Sequence, residues 1–332
     1  MNLLNMMFEK GFLEPEMRQA SALLSHPHDM VSDVALQNFE VVHYWKPSFD
    51  QWKQGARIIH TPSELKKSYE LVVCSILKSK ELSLFHMAQS IMAAKDNAMF
   101  VVIGANDQNG KRLSQWIDEF HIDHQSYSKQ KHRIVWGRVS ESSKNKALEY
   151  IQDFGEQDHD FGVARLRTKP GIFGWKKIDK GSKLLLETLP KLSGKGADFG
   201  CGYGYLSHQI LKSKPEQSLD LYEADYYALE CAKQNVSFAK TTQFFWQDLT
   251  RDTPVKQYDF IVMNPPFHEG KKSNSDIGKE FIKMAASCLH KRESLYMVAN
   301  IFLAYERILE EHFYKVEKVD ERDGFKVFHA QK

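Results

Sequence analysis

The chain is poor in the features that announce several protein classes. Its 332 residues include four cysteines, Cys74, Cys201, Cys231 and Cys288, with no Cys-x-x-Cys pair, which excludes a disulfide framework and a cysteine zinc site. No apolar run approaches the roughly 18 residues a membrane span needs. The longest strings, near Leu71 to Leu77 and Ala98 to Ala105, read as buried strands. The first ten residues lack the basic start and small-residue cleavage site of a signal peptide, so a cytoplasmic protein is expected. Net charge is scarce too: 45 basic residues against 43 acidic give +2, so binding to a polyanion would need a local concentration of charge. Glycine is scarce in one half only. The first 150 residues hold five (11, 55, 104, 110 and 137), none closer than six apart, so that half cannot present a clustered glycine turn.

What is present is an α/β pattern. At about 150 residues per domain the length predicts roughly two domains. From Lys195 onward short apolar runs alternate with amphipathic stretches, which predicts a mainly parallel sheet. Strands are expected at Ser218 to Glu223, up to Trp246, at Tyr258 to Met263 and at Ser294 to Ala299. Helices are expected at Tyr205 to Lys214, Tyr226 to Asn235, Ser275 to His290 and Glu306 to Phe313, with an antiparallel pair, Tyr314 to Val319 and Gly324 to His329, at the end. The first half repeats this plan. Tyr69 to Cys74 resembles Tyr258 to Met263, Ala105-Asn106 matches Ala299-Asn300, and His132 to Trp136 echoes Gly324 to Phe328. Ordered matches of this kind predict two copies of one fold. The charge blocks around residues 141–162 place the boundary, giving units of 1–145 and 166–332 joined by a linker over 146–165.

Ala197-Asp198-Phe199-Gly200-Cys201-Gly202-Tyr203-Gly204 lies between an expected strand and helix, where missing Cβ atoms and backbone amides let a ligand approach. The spacing is Gly-x-Gly-x-Gly, not the dinucleotide pattern Gly-x-Gly-x-x-Gly, and Asp198 would repel a pyrophosphate while attracting an ammonium group. Glu223, ending the next strand, is placed to accept both hydrogen bonds of a ribose diol. The combination resembles the cofactor site of class I S-adenosylmethionine-dependent methyltransferases. The resemblance implies that Asp198 holds the methionine part of the cofactor, with Gly200, Gly202 and Gly204 beside it, that Glu223 holds the ribose, and that Asp248 lies near the adenine amino group. The bland reading is a tight turn packed for its own sake and an exposed loop aspartate. One departure is that the first strand, Gly194-Lys195-Gly196-Ala197, lacks β-branched residues.

Asn264-Pro265-Pro266-Phe267 follows the strand Tyr258 to Met263 and so falls at the carboxyl edge of the sheet beside the glycine turn. The prolines hold the chain rigid and leave the Pro265 carbonyl free. With the Asn264 side-chain oxygen it gives two acceptors that can bind both hydrogens of a planar amine and aim its lone pair at a methyl carbon. Phe267 can stack on the ring bearing that amine. The motif resembles that of methyltransferases acting on adenine N6, guanine N2 or protein glutamine. No metal is implied, and His26-x-His28, His121-x-x-His124 and His268 are read as structural.

From Ala164 to Lys183 seven basic residues, Arg165, Arg167, Lys169, Lys176, Lys177, Lys180 and Lys183, face a single acid, Asp179. With Phe173 and Trp175 interleaved, the strip suits phosphate contact and base stacking, and Lys271-Lys272 could extend it; the plain alternative is a solvated face. Thr168 to Phe173, Asp179 to Leu185, the glycine turn, Asn264 to Gly270, Ala299-Asn300 and Phe325 to Val327 together resemble the bacterial ribosomal RNA guanine-N2 methyltransferases, whose first domain is a degenerate copy. That implies methylation of a guanine N2 in 16S rRNA, in the small ribosomal subunit, and a monomer is expected. It also adds Phe173 and Asp179 to the cofactor and target pocket. The nearest rival is the large-subunit (23S) guanine-N2 enzyme. From another class, a noncatalytic RNA-binding assembly factor would need no intact Asn-Pro-Pro-Phe.

Overall fold

The structure is a computed structural model and describes residues 2–27, 36–54, 58–65, 68–214, 217–266 and 274–332. The chain divides into two units, Met1–Glu156 and Gln157–Lys332.

In the first unit, strands β1 (Ala22–Ser25), β2 (Phe39–Val42), β3 (Ile59–His60), β4 (Tyr69–Ser75), β5 (Ala94–Ala105), β6 (His124–Lys129) and β7 (His132–Arg138) form one sheet in the order β3-β2-β1-β4-β5-β7-β6. The β5-β7 and β7-β6 pairs are antiparallel and the others parallel. The helices are α1 (Leu3–Glu9), α2 (Lys46–Lys53), α3 (Lys80–Ala93), α4 (Leu113–Glu119) and α5 (Glu141–Phe154). Strand β4 shows why its stretch Leu71 to Cys74 is apolar. Leu71 and Val73 enter a cluster with Leu3, Leu4 and Met6 of α1, while Val72 and Cys74 enter another with Leu84, Met87 and Ile91 of α3. A strand covered on both faces has no polar side.

The expected linker over 146–165 is absent. Ser140 caps α5 by accepting from the Ser143 amide at 3.2 Å, Ala147 is in the first unit's core and Tyr150, Ile151 and Phe154 pack against it. Residues from Gln157 belong to a hairpin of the second unit, β8 (Gln157–Asp160) and β9 (Arg165–Thr168). The charge blocks that suggested a linker are the exposed side of this helix and hairpin.

The second unit continues with α6 (Lys180–Thr188), β10 (Lys195–Phe199), α7 (Tyr205–Ser213), β11 (Ser218–Glu223), α8 (Tyr226–Asn235), β12 (Gln243–Trp246), β13 (Tyr258–Met263), α9 (Asn274–Cys288), β14 (Leu289–Asn300), α10 (Glu306–His312), β15 (Lys315–Arg322) and β16 (Phe325–Gln331). Its sheet order, β12-β11-β10-β13-β14-β16-β15, repeats that of the first unit strand for strand. The two copies of one fold read from the sequence are therefore present. Because the chain runs outward from β10 through β11 to β12 and then returns to β13 on the other side, the order reverses between β10 and β13. Their carboxyl ends form the crevice where sheets of this kind bind ligands.

Gly196 of β10 and Gly194 just before it have a packing reason. A Cβ on Gly196 would collide with the ring of Phe260 on β13, and one on Gly194, at φ 82°, with the side chain of Asp259. The Asp259 carboxylate accepts from the Lys195 amide at 2.7 Å, so the neighbouring strand supplies the bulk that β10 lacks.

Candidate active site

The turn after β10 is built by the sheet. The amides of Gly200 and Cys201 donate to the Tyr222 carbonyl on β11 at 2.9 and 3.0 Å, and the Gly204 amide donates to the Cys201 carbonyl at 2.9 Å. The Gly202 amide donates to Glu223 Oε2 at 2.8 Å. Gly200, Gly202 and Gly204 have φ values of 75°, 56° and 84°, left-handed backbone that favours glycine. A Cβ on Gly202 would meet nothing within 4 Å, and one on Gly204 would stand 3.1 Å from Ala232 of α8. The turn thus offers room to a ligand, and these four amides are already engaged within the protein.

Beneath the turn lie acids. Asp198 is fully buried. Its Oδ2 accepts from the Ser207 hydroxyl at 2.6 Å, while Oδ1 has no partner among the described residues. Burial lifts its carboxyl to about 7, and the nearby Glu223 charge adds to the shift. Glu223 accepts from the amides of Ala224 and Asp225 at 2.7 and 2.9 Å as well as from Gly202, yet burial still raises its pKa. Asp225, which sequence reading passed over, caps α8 through the Tyr227 and Ala228 amides. Burial and the Glu223 charge push it to about 7. The signal was an aspartate one position before an expected helix. Asn235 was also missed. It ties β9 to the turn, accepting from the Arg167 amide at 2.6 Å and donating to the Tyr203 carbonyl at 2.7 Å.

One pocket gathers Phe173, Asp179, Ser182, Gly200, Gly202 and Asn264. Phe173 stands at its mouth, 64% exposed. Asp179 caps α6, accepting from the Ser182 amide at 2.8 Å. The Asn264 side-chain amide donates to Asp179 Oδ2 at 2.8 Å and to Ser182 Oγ at 2.7 Å. Its carbonyl oxygen is buried without a partner among the described residues. Pro265 is buried beside it, and Phe267, Lys271 and Lys272 lie outside the described residues. Asp248 stands apart, beyond β12 and two strands from β10. It accepts from the Thr250 amide and hydroxyl at 2.9 and 2.7 Å through Oδ1, and its buried Oδ2 has no hydrogen-bond partner among the described residues.

The basic strip splits. Arg165, Lys176 and Lys177 are exposed. Lys169 is only 1% exposed and cannot reach RNA. Its ammonium lies 4.8 Å from the centre of the Tyr227 ring, and its charge favours ionised Asp225. A buried cation needs such partners, and here they face inward. Arg167 is turned to its own unit as well, donating to Asp158 at 3.2 Å and Gln234 at 3.0 Å.

The register shows what replaces the site in the first unit. Ser25 pairs with Val42 and Cys74 as Phe199 pairs with Tyr222 and Met263. Leu24, His26, His43 and Ser75 therefore occupy the positions of Asp198, Gly200, Glu223 and Asn264. His26, His43 and His86 are buried, with the His26 ring 3.6 Å from that of His86 and 5.4 Å from that of His43. Imidazoles therefore stand at the two positions where the second unit has Gly200 and Glu223.

The family described as methyltransferase small domain matches residues 163–329. Proteins named ribosomal RNA small subunit methyltransferase C are similar over most of both chains. The one from Vibrio parahaemolyticus is 30% identical over 261 residues, 77% of this chain and 75% of its own. The one from Shewanella halifaxensis is 30% identical over 267 residues, 79% and 77%. A solved structure of the T. thermophilus 16S rRNA N2 guanine 1207 methyltransferase (RsmC), in complex with AdoMet and guanosine, superposes with a TM-score of 0.81 at 19% identity, covering 99% of this chain and 92% of that one. This likeness is one of fold, and it extends through both units. By the span of the domain match and the shared length and identity with these relatives, the chain belongs to the ribosomal RNA small subunit methyltransferase C family.

Proposed function

We propose that this chain transfers the methyl group of S-adenosylmethionine to the exocyclic N2 of a guanine in 16S rRNA. The observation that carries the reading is the Asn264 carbonyl oxygen, a buried acceptor without a partner among the described residues, in the pocket beside the glycine turn. A noncatalytic RNA-binding factor has no use for such an acceptor, because leaving it unpaired costs about 1–3 kcal/mol.

The residues present fit the cofactor. S-adenosylmethionine is cationic, and Asp198, Glu223 and Asp225 gather three carboxylates whose pKa values are raised chiefly by burial, so that a bound cation favours their ionised forms. Asp198 Oδ1 is an open acceptor for the ammonium, Glu223 faces the ribose, and Asp248 Oδ2, 3.7 Å from the Arg251 guanidinium, accepts from the adenine amine. When bound, the cofactor supplies an electrophilic methyl group. Asn264 and the Pro265 carbonyl accept the two hydrogens of the guanine amine, stop it turning and leave its lone pair facing the methyl carbon. Phe173 at the mouth and Phe267 beyond the prolines stack on the base.

The relatives are named for small-subunit rRNA, and the T. thermophilus protein for guanine 1207. We extend that position, and the small ribosomal subunit as substrate, to this chain. Arg165, Lys176 and Lys177 contact phosphates, with Lys271 and Lys272 continuing the track, while the first unit serves folding or RNA placement. No helix among the described residues is long and apolar enough to cross a membrane; we read a cytoplasmic monomer. The test is tritiated methyl transfer to separated ribosomal subunits from cells lacking the protein, followed by nucleoside analysis. N2-methylguanine in 16S rRNA is expected. Label in 23S rRNA would favour the large-subunit reading, and no label would overturn both.

A further inference from the structure

We infer that Asp179 is a positioning residue that decides which end of the Asn264 amide faces the substrate. The inference rests on the proposed role of Asn264 and goes beyond it. The two ends of an asparagine amide are nearly identical in shape and opposite in hydrogen bonding. Only the carbonyl oxygen can accept from an amine. With the amide reversed, N–H donors would meet the N–H donors of guanine, and the nitrogen would be pushed out of line.

Among the described residues two groups accept from the Asn264 amide nitrogen, and they differ in what they can enforce. The Ser182 hydroxyl, at 2.7 Å, can donate or accept, so it satisfies either orientation. The Asp179 carboxylate, at 2.8 Å, can only accept, so it satisfies one. Asp179 is itself immobilised. The same Oδ2 accepts from the Ser182 amide at 2.8 Å as the cap of α6. The next turn fits closely round it: a Cβ on Gly181 would stand 3.1 Å from that oxygen and 2.8 Å from the Phe325 ring. A helix cap 85 residues earlier in the chain thus sets the acceptor at the end of β13, and Asp179, expected to touch the cofactor, acts through Asn264.

The test uses the full chain with S-adenosylmethionine and small ribosomal subunits from cells lacking the protein. Asp179→Ser keeps a good helix cap but is too short to hold the amide. It should lower kcat about 10- to 100-fold, the range for a misplaced reacting group, with cofactor affinity by calorimetry unchanged within about twofold. Asp179→Asn, whose amide oxygen can take the place of Oδ2, should recover most of the rate. Ser182→Ala leaves the carboxylate in place and should lower kcat much less than Asp179→Ser does. The inference fails if Asp179→Ser retains kcat, if it instead weakens cofactor binding with kcat intact, if Asp179→Asn does not rescue, or if Ser182→Ala alone abolishes transfer. Should Asp179→Ser not fold, the last two variants still decide. A wild-type chain that transfers no methyl group removes the proposed function itself, and the inference with it.

Discussion

The imidazole rings of His26 and His86 lie with centroids 3.6 Å apart and planes tilted by 32° at the carboxyl end of β1, at the position where the second unit has Gly200. With Leu24 for Asp198 and His43 for Glu223, the described residues at this edge of the first unit offer a cation neither of those carboxylates. Calorimetry on the full chain should therefore count one S-adenosylmethionine per chain, and His26→Gly should leave that count at one. A stoichiometry of two would show that the histidines move aside.

Burial lifts the carboxyls of Asp198 and Asp225 to about 7. The native chain then holds protons that the unfolded chain loses near pH 4. The stability these groups contribute is fully present below about pH 4 and is lost as pH rises through about 7, where charges must be buried together. A bound cation favours the ionised forms. Cofactor binding near pH 7 should release protons, and affinity should rise between about pH 6 and 8, by at most about tenfold per unit for each proton. Calorimetry in buffers of different ionisation heat counts them, and a count of zero would contradict the charge assignment.

Asn264→Ala should lower kcat at least about 100-fold while cofactor affinity changes little, since the oxygen it removes faces the amine. Single-turnover methylation separates this from a binding defect. A variant that loses affinity and rate together would make Asn264 a cofactor ligand.

The divided basic strip predicts two kinds of lysine phenotype. Neutral replacement of Arg165, Lys176 and Lys177 should flatten the dependence of RNA affinity on salt, by a slope of about 0.7–0.9 for each phosphate no longer neutralised, with folding unchanged. Lys169→Ala should leave that slope alone and lower stability, because it removes a buried cation packed on the Tyr227 ring that favours ionised Asp225. Denaturation and salt titrations on the same proteins distinguish the two.

Gly196→Ala should destabilise the chain by about 1–3 kcal/mol, as expected when a methyl group is forced against a packed ring. Phe260→Leu in the same chain should return part of the loss. An unaltered unfolding midpoint in Gly196→Ala would mean that the sheet absorbs the clash by shifting.

Much of the second unit was legible, because strands covered on both faces are short apolar runs and the helices between them carry apolar stripes. Strand β11, helix α8 and strand β13 have the bounds read from the sequence. Strand β14 starts earlier, at Leu289 rather than Ser294. Its first residues, His290 to Glu293, are polar, and a hydrogen bond from the Arg292 amide to the Lys332 carbonyl at 2.7 Å helps to hold them, which no local pattern announces. Glycine spacing and Asn-Pro-Pro are local and so legible, and the pocket is lined by residues of both motifs. Side-chain direction was not legible. Lys169 and Lys176 look alike in a count of charges, and only Tyr227 and Asp225, some 60 residues on, turn the first inward. The partner of Asn264 was hidden for the same reason.

His26 keeps left-handed backbone, φ 51°, where Gly200 has φ 75°, and both amides donate to the neighbouring strand at 2.9 Å. The bend at this edge is thus shaped by strand pairing, and a residue with a side chain can make it. Glycine decides whether anything occupies the space outside the bend. A duplicated domain can accordingly lose its ligand by filling rather than by unfolding, with every strand still in register. Glycine counts at such turns measure room, and the shared origin of a silent copy remains written in its torsion angles.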